Sequence, residues 1–213
     1  MHIPDGFLNT PTWIGSSLIS ITGLAVAFKK VTRVLNEKMV PLMGVMASFI
    51  FAAQMLNFPV AGGTSGHLLG GVLAAVLLGP LAGAIVISVV LVAQALIFQD
   101  GGITALGANI LNMSFVGTVG GYSIYFLIRK IVSGRMGILI ATFISAWASV
   151  ILASTACSLE LAISGTSPLK IVLTAMAGIH VLIGVGEGVI TLFIVSFLLK
   201  VRPDLIYSSG EVR

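Results

Sequence analysis

Residues 65–98 read SGHLLGGVLAAVLLGPLAGAIVISVVLVAQALIF, without one Asp, Glu, Lys or Arg. A helix rising ~1.5 Å per residue needs about 20 apolar residues to cross a bilayer's hydrocarbon layer. The run is too long for one crossing, and Gly79-Pro80 divides it. Glycine permits a sharp reversal, and proline is suited to the first turn of a new helix. The pair therefore predicts a tight hairpin of two membrane helices, 65–79 and 81–98. Merging them would invert every later segment across the membrane.

Outward from this hairpin, further apolar stretches cover 12–28, 40–57, 104–128, 136–163 and 168–199. The predicted fold class is an all-α integral membrane protein of about seven transmembrane helices, N-terminus outside and C-terminus cytoplasmic. Residues 1–200 form one transmembrane domain, and 201–213 a cytoplasmic tail. Charge placement supports this topology. Lys29, Lys30, Arg33, Lys38, Arg129, Lys130, Arg135, Lys200, Arg202 and Arg213 fall on the inner side, and only Lys170 falls outside. That asymmetry is the positive-inside pattern. It gathers Met1, His2, residues 58–67 and Asp100 together at the outer face of the membrane.

Composition agrees. The chain is 57% hydrophobic and only 8% charged, against about 25% charged residues in soluble domains. Its net charge of +4 lies in short clusters between apolar runs, which marks topology rather than a nucleic-acid surface. One cysteine, Cys157, excludes an internal disulfide and a cysteine-rich metal site. Pro4, Asp5, Gly6 and Pro11 interrupt the start, and no basic region precedes the first apolar run. This is unlike a signal peptide, so the amino terminus is expected to stay on the mature protein. Gly44, Ser48 and Ala52, like Gly79 and Gly83, recur at four-residue spacing. Such spacing suits close helix packing, either within the bundle or against another membrane subunit.

The opening Met1-His2-Ile3-Pro4-Asp5-Gly6 has the make-up of a chelator. The Met1 amine and the His2 backbone nitrogen close a five-membered ring around one metal ion. The His2 backbone nitrogen and its own Nδ1 close a six-membered ring around the same ion. Three nitrogens in one plane suit Ni2+ or Cu2+, whereas Zn2+ prefers a tetrahedron. Displacing a peptide proton favours Ni2+ over Co2+. His67, in Gly62-Gly63-Thr64-Ser65-Gly66-His67, is the best candidate for the fourth corner. Its other reading is a cap or interface residue at a helix start.

The opening Met1 to Leu8, together with Gly63-Thr64-Ser65-Gly66-His67-Leu68-Leu69-Gly70-Gly71, resembles the CbiM/NikM family. Gly107-Ala108-Asn109-Ile110-Leu111-Asn112-Met113 and Gly186-Glu187-Gly188 resemble it more softly. Members are substrate-specific (S) components of energy-coupling factor (ECF) transporters that import nickel or cobalt. The resemblance implies a seven-helix fold and a transported metal held by Met1, His2 and His67. It also implies partners: a transmembrane coupling (T) subunit, two cytoplasmic ABC-type ATPase subunits and often a small extra membrane subunit. The chain has no P-loop sequence of its own, so ATP hydrolysis is expected on those partners. Ni2+ with Co2+ as alternative is thus expected as transported substrate, and the chain is not expected to be an enzyme.

Polar residues at membrane depth are functional candidates. Asn109 and Asn112, three apart, are read either as supports for His67 and the amino-terminal loop or as interhelix hydrogen bonds. Asp5 and Asp100 are read as balancing charge or holding the loop over the site, or as turn or cap residues; Ser65 is read with Asp5, Asn109 and Asn112 as a support around the metal ligands, and Gln54 with Asn57 as packing or loop support. Glu187 needs a partner, and His180, two turns away, offers a relay, a coupling-subunit contact or a hydrogen-bonded pair. Glu160 is expected to reach the interface. Two other functions compete. Gly63-Thr64-Ser65-Gly66 fits the rhomboid signature of an intramembrane serine protease, with His180 as base to Ser65. A stand-alone divalent metal channel or carrier needs a carboxylate path, for which only Glu160 and Glu187 lie in spans.

Overall fold

The computed structural model describes residues 1–60 and 64–207. Gly62 and Gly63 of the quoted motif, and the tail from 208, lie outside the described residues. Helix α1 (Thr10–Val31) begins where Asn9 Oδ1 accepts the Thr12 N–H at 3.0 Å, with Pro11 in the first turn. It closes on Lys29 and Lys30, whose charges complement the C-terminal end of the helix dipole. Helix α2 (Met39–Gln54) leads into a two-stranded antiparallel hairpin, β1 (Phe58–Val60) and β2 (Thr64–Gly66), with Pro59 opposite Ser65. Helices α3 (Gly71–Leu78) and α4 (Pro80–Ile97) follow. Next come α5 (Leu106–Ile110), a π-helical run (Leu111–Gly120) and α6 (Gly121–Ile131), which together make one rod, Leu106–Ile131. Helices α7 (Gly134–Ile163) and α8 (Leu169–Val201) complete the bundle.

Seven rods thus follow the order the sequence predicts, but they are unequal. Five are long and apolar enough to cross a membrane, α1, α4, the 106–131 rod, α7 and α8. Helix α2 is shorter, at 16 residues, and α3 has only 8. The expected third span, 65–79, is therefore helical only from Gly71. Residues 64–70 run as strand and irregular chain, and the fold is helical apart from this small hairpin. Non-helical backbone survives at such depth only where protein supplies its hydrogen bonds, and here it does, as the site shows.

Helix α3 is buried along its whole length and sits at the centre of the bundle, against α4, α6, α7 and the π-helical run. The turn from α3 into α4 is a single residue, Gly79, at φ +85° and ψ 158°, a conformation open essentially to glycine alone. Gly83 meets the α3 backbone at Ala75, so its spacing serves internal packing. Gly44, Ser48 and Ala52 instead line an exposed face of α2. The outside of the bundle is apolar: Leu182 and Phe193 of α8 are 73% and 74% exposed. Such a surface is at home in lipid rather than water. Beneath α3 the chain returns, and the Tyr207 N–H donates to the Val76 carbonyl at 2.8 Å.

Candidate functional site

Chain termini normally lie in water, because an ammonium group is costly to bury. Here Met1 and Ile3 have no exposed surface and His2 is 3% exposed. Main-chain bonds at Ile3 and side-chain bonds at Asp5 draw the segment in. The Ile3 N–H donates to Asn109 Oδ1 at 2.8 Å, and the Ile3 carbonyl accepts from Asn109 Nδ2 at 3.2 Å and from the Gly102 N–H at 2.9 Å. Asp5 accepts the N–H groups of Ile103 and Thr104, at 3.1 and 2.7 Å, and the Thr104 hydroxyl. These bonds, the Thr104 hydroxyl first, hold the Asp5 carboxyl below its ordinary range. The Cys157 thiol of α7 lies 3.9 Å from the Met1 carbonyl oxygen.

Burial sets the charge state of this end. Desolvation lowers the Met1 amine from 8.0 to about 5, against weaker opposing pulls from Cys157 and Asp100. At neutral pH the amine is therefore uncharged and carries a lone pair. Burial also lowers the His2 imidazole, partly offset by its hydrogen bond with Asp100. Burial pushes Asp100 up, but the His2 ring and the Asn57 amide bring its carboxyl below the ordinary value overall. The site is thus two imidazoles and a neutral amine facing one carboxylate, an arrangement that favours a cation.

His67 enters from the opposite side, on the irregular stretch after β2, and has no exposed surface. Its Nδ1–H donates to the Leu68 carbonyl at 2.7 Å. That bond fixes the tautomer, so Nε2 carries the lone pair. The His2 and His67 rings lie 4.6 Å apart, centroid to centroid, tilted by 31°. Both Nε2 atoms are buried and, among the described residues, have no hydrogen-bond partner. His2 Nδ1–H donates to Asp100 Oδ1 at 2.8 Å, and Asn57 Nδ2 donates to Asp100 Oδ2 at 2.8 Å. The nitrogen that closes a chelate ring with the residue's own amide is thus turned toward the carboxylate. A half-turn about the Cβ–Cγ bond exchanges it with Cδ2.

Among the described residues, no three His, Cys, Asp or Glu side chains converge as ligands. A metal held here must therefore draw on the amine and main-chain nitrogens beside the imidazoles. Asn109 and Asn112, alike in sequence, separate in their roles. Asn109 clasps Ile3, whereas Asn112 Nδ2 donates to Glu160 Oε2 at 2.6 Å, and Ser16 donates to Glu160 Oε1 at 2.9 Å. Glu160 is accordingly buried between α1 and the π-helical run, not at the interface as its position suggested. The Ser65 side chain lies outside the described residues. His180 Nδ1–H donates to the Met176 carbonyl at 2.7 Å, and Glu187 accepts from Leu69 and Gly70, so the two take other partners. Sequence reasoning passed over Cys157 as a neighbour of Met1. It also passed over Gln94, fully buried in α4 with both side-chain polar atoms lacking a partner; a polar residue in so apolar a run was its signal.

Residues 2–205 match the CbiM family, described as the cobalt uptake substrate-specific transmembrane region. The chain belongs to the CbiM family. It is 44% identical over 208 residues to a putative fused nickel transport protein NikMN of Archaeoglobus fulgidus, covering 97% of this chain and 68% of that longer relative. It is 31% identical over 214 residues to the cobalt transport protein CbiM of Acetoanaerobium sticklandii, covering 96% of this chain and 86% of that protein. A crystal structure of a truncated transition metal transporter superposes with a TM-score of 0.88 at 34% identity, over 94% of this chain and 99% of that one. Family and apolar helices together make this CbiM-family chain a multi-pass membrane protein.

Proposed function

We propose that this CbiM-family chain is the substrate-capturing S component of an ATP-driven ECF-type importer, taking Ni2+ at its outer face. The observation that carries the reading is the burial of a neutral Met1 amine beside His2 and His67, whose rings lie 4.6 Å apart. The ion is held in a plane by the Met1 amine, the His2 amide nitrogen, His2 Nδ1 and His67 Nε2. Planar nitrogen coordination suits Ni2+. Co2+ is the alternative cargo, favoured by the names of cobalt-transporting relatives. Capture requires the His2 ring to turn, so that Nδ1 leaves Asp100 for the metal; the ring's remaining donor, Nε2–H, is then the group that a carboxylate beside a metal-bound histidine orients.

The basic clusters at Lys29–Lys38, Arg129–Arg135 and Lys200–Arg202 lie on the cytoplasmic side, and the metal site lies outside. ATP is hydrolysed by two ABC-type ATPase subunits acting through a transmembrane coupling subunit, with a small extra membrane subunit completing the complex. Their motion draws the amino-terminal segment away from His67; with one ligand lost and the amide reprotonated, the ion leaves inward. A Gly-Ser extension ahead of Met1 turns the Met1 amine into an amide and moves the primary amine away from His2, and tests the reading by calorimetric titration with Ni2+. Loss of tight binding is expected, and retained tight binding defeats the chelate.

A further inference from the structure

His67 owes its position to a stretch, residues 67–70, that is neither helix nor strand, with His67 and Leu69 buried and Leu68 and Gly70 partly so. Unpaired main-chain groups are costly there. Two distant side chains satisfy them. From α8, Glu187 Oε2 accepts the Leu69 N–H at 2.9 Å and Oε1 accepts the Gly70 N–H at 2.6 Å. From α2, Gln54 Nε2 donates to the Leu69 carbonyl at 2.8 Å. Gly70 turns at φ +73°, where a Cβ would come within 2.7 Å of Ile50 Cγ1. The stretch is therefore pinned from α8 by a carboxylate and from α2 by a carboxamide and a close backbone approach.

The bonds to Glu187 differ from the others in kind. A two-oxygen grip on two successive N–H groups fixes the direction of the chain as well as its place, which a single bond does not. The grip also sits at the N-terminal end of α3, where a carboxylate complements the helix dipole. Glu187 is 2% exposed, and among the described residues no Lys or Arg pairs with it. An unpaired carboxylate in the interior of a membrane bundle is expensive and ordinary packing does not call for it.

We infer that Glu187 is a positioning residue for metal capture, holding His67 as the fourth ligand and tying that ligand to helix α8. The inference rests on the amino-terminal site proposed above. Displacement of α8 relative to α2 pulls on residues 69 and 70 and thereby on His67, two residues away. The Met1–His2 nitrogens, held through Ile3 by Asn109 and Gly102, are not on that tether. The ion then loses its fourth ligand first.

The test uses the full chain with its native Met1, purified in detergent and loaded with Ni2+. Glu187→Ala is expected to shift the visible spectrum toward that of His67→Ala and to speed release to a chelator by about 10- to 100-fold, the usual cost of removing an outer-shell partner. In a His67→Ala background, Glu187→Ala should change neither spectrum nor release rate further. Glu187→Gln, which keeps the volume and one accepting oxygen, should fall between, and it carries the comparison if the alanine variant does not yield monodisperse protein. Native spectrum and release in the Glu187 variants overturn the inference while leaving the site intact. An additive effect in the His67→Ala background also overturns it, since that marks a general structural role. If His67→Ala itself binds as the native protein does, the amino-terminal site fails and this inference with it.

Discussion

Replacing Asn109 by Ala removes the one side chain that holds both main-chain groups of Ile3. The N–H loses its 2.8 Å bond, and the carbonyl loses its 3.2 Å bond while keeping the Gly102 N–H. Ile3 has no exposed surface, so water cannot replace the lost partner without opening the segment. An unmade bond on a buried group costs about 1–3 kcal/mol. Counting the N–H fully and the carbonyl partly, docking of residues 1–3 weakens by about 2–4 kcal/mol. At ~1.4 kcal/mol per tenfold, metal affinity falls by about 30- to 1000-fold. Asn112→Ala is the control. Asn112 serves Glu160, not the amino-terminal segment, so its loss should lower thermal stability and change metal affinity little. The assay is competition for Ni2+ against a chelator of known affinity, with helix content followed by circular dichroism. If Asn109→Ala binds within about threefold of the native protein, or if the two variants lose affinity equally, the clasp does not organise the site.

Four further outcomes follow from the same geometry. In Gly102→Ala the new Cβ would stand 2.3 Å from the Asp5 nitrogen; it should displace the amino-terminal segment and weaken Ni2+ binding at least about tenfold with helix content unchanged. With the amine lowered to about 5, Ni2+ binding at pH 7 should release about one proton, from the His2 amide, and not the roughly two that an ordinary amine would give; calorimetry in buffers of different ionisation enthalpy counts them. The sign for docking follows too. Between pH 8 and pH 5 the undocked amine binds more protons than the docked one, so burial of Met1 weakens as pH falls through that window and levels off below it. Asp100→Asn should lower Ni2+ affinity by about tenfold, by removing the carboxylate that accepts the remaining Nε2–H once His2 Nδ1 has turned to the metal, measured by the same chelator competition.

Much of the fold was legible because lipid imposes simple rules. Long apolar runs with few charges predicted α1, α4, α7 and α8, and the Gly79-Pro80 pair marked the turn that glycine at φ +85° makes. What hydropathy could not show is the state of residues 64–70. An apolar stretch is equally suited to a helix and to buried irregular chain when distant side chains satisfy its backbone, and Glu187 and Gln54 lie far away in sequence. The same blindness hid the partners of Glu160. The π-helical run at Leu111–Gly120 is likewise invisible in composition. It begins between Asn109 and Asn112, where the widened ladder breaks the rule that residues three apart share a face. The site was legible in part: Met1, His2 and His67 do come together, because the opening motif supplies nitrogens that have no other reason to be buried. The orientation of the His2 ring toward Asp100 needed coordinates.

The most direct measurement is the metal content and absorption spectrum of protein beginning at Met1, compared with His2→Ala and His67→Ala. One equivalent of Ni2+ with a yellow, diamagnetic, square-planar spectrum, lost in both variants, is the expected result. No stoichiometric metal, or a spectrum unchanged by either substitution, contradicts an amino-terminal nitrogen site.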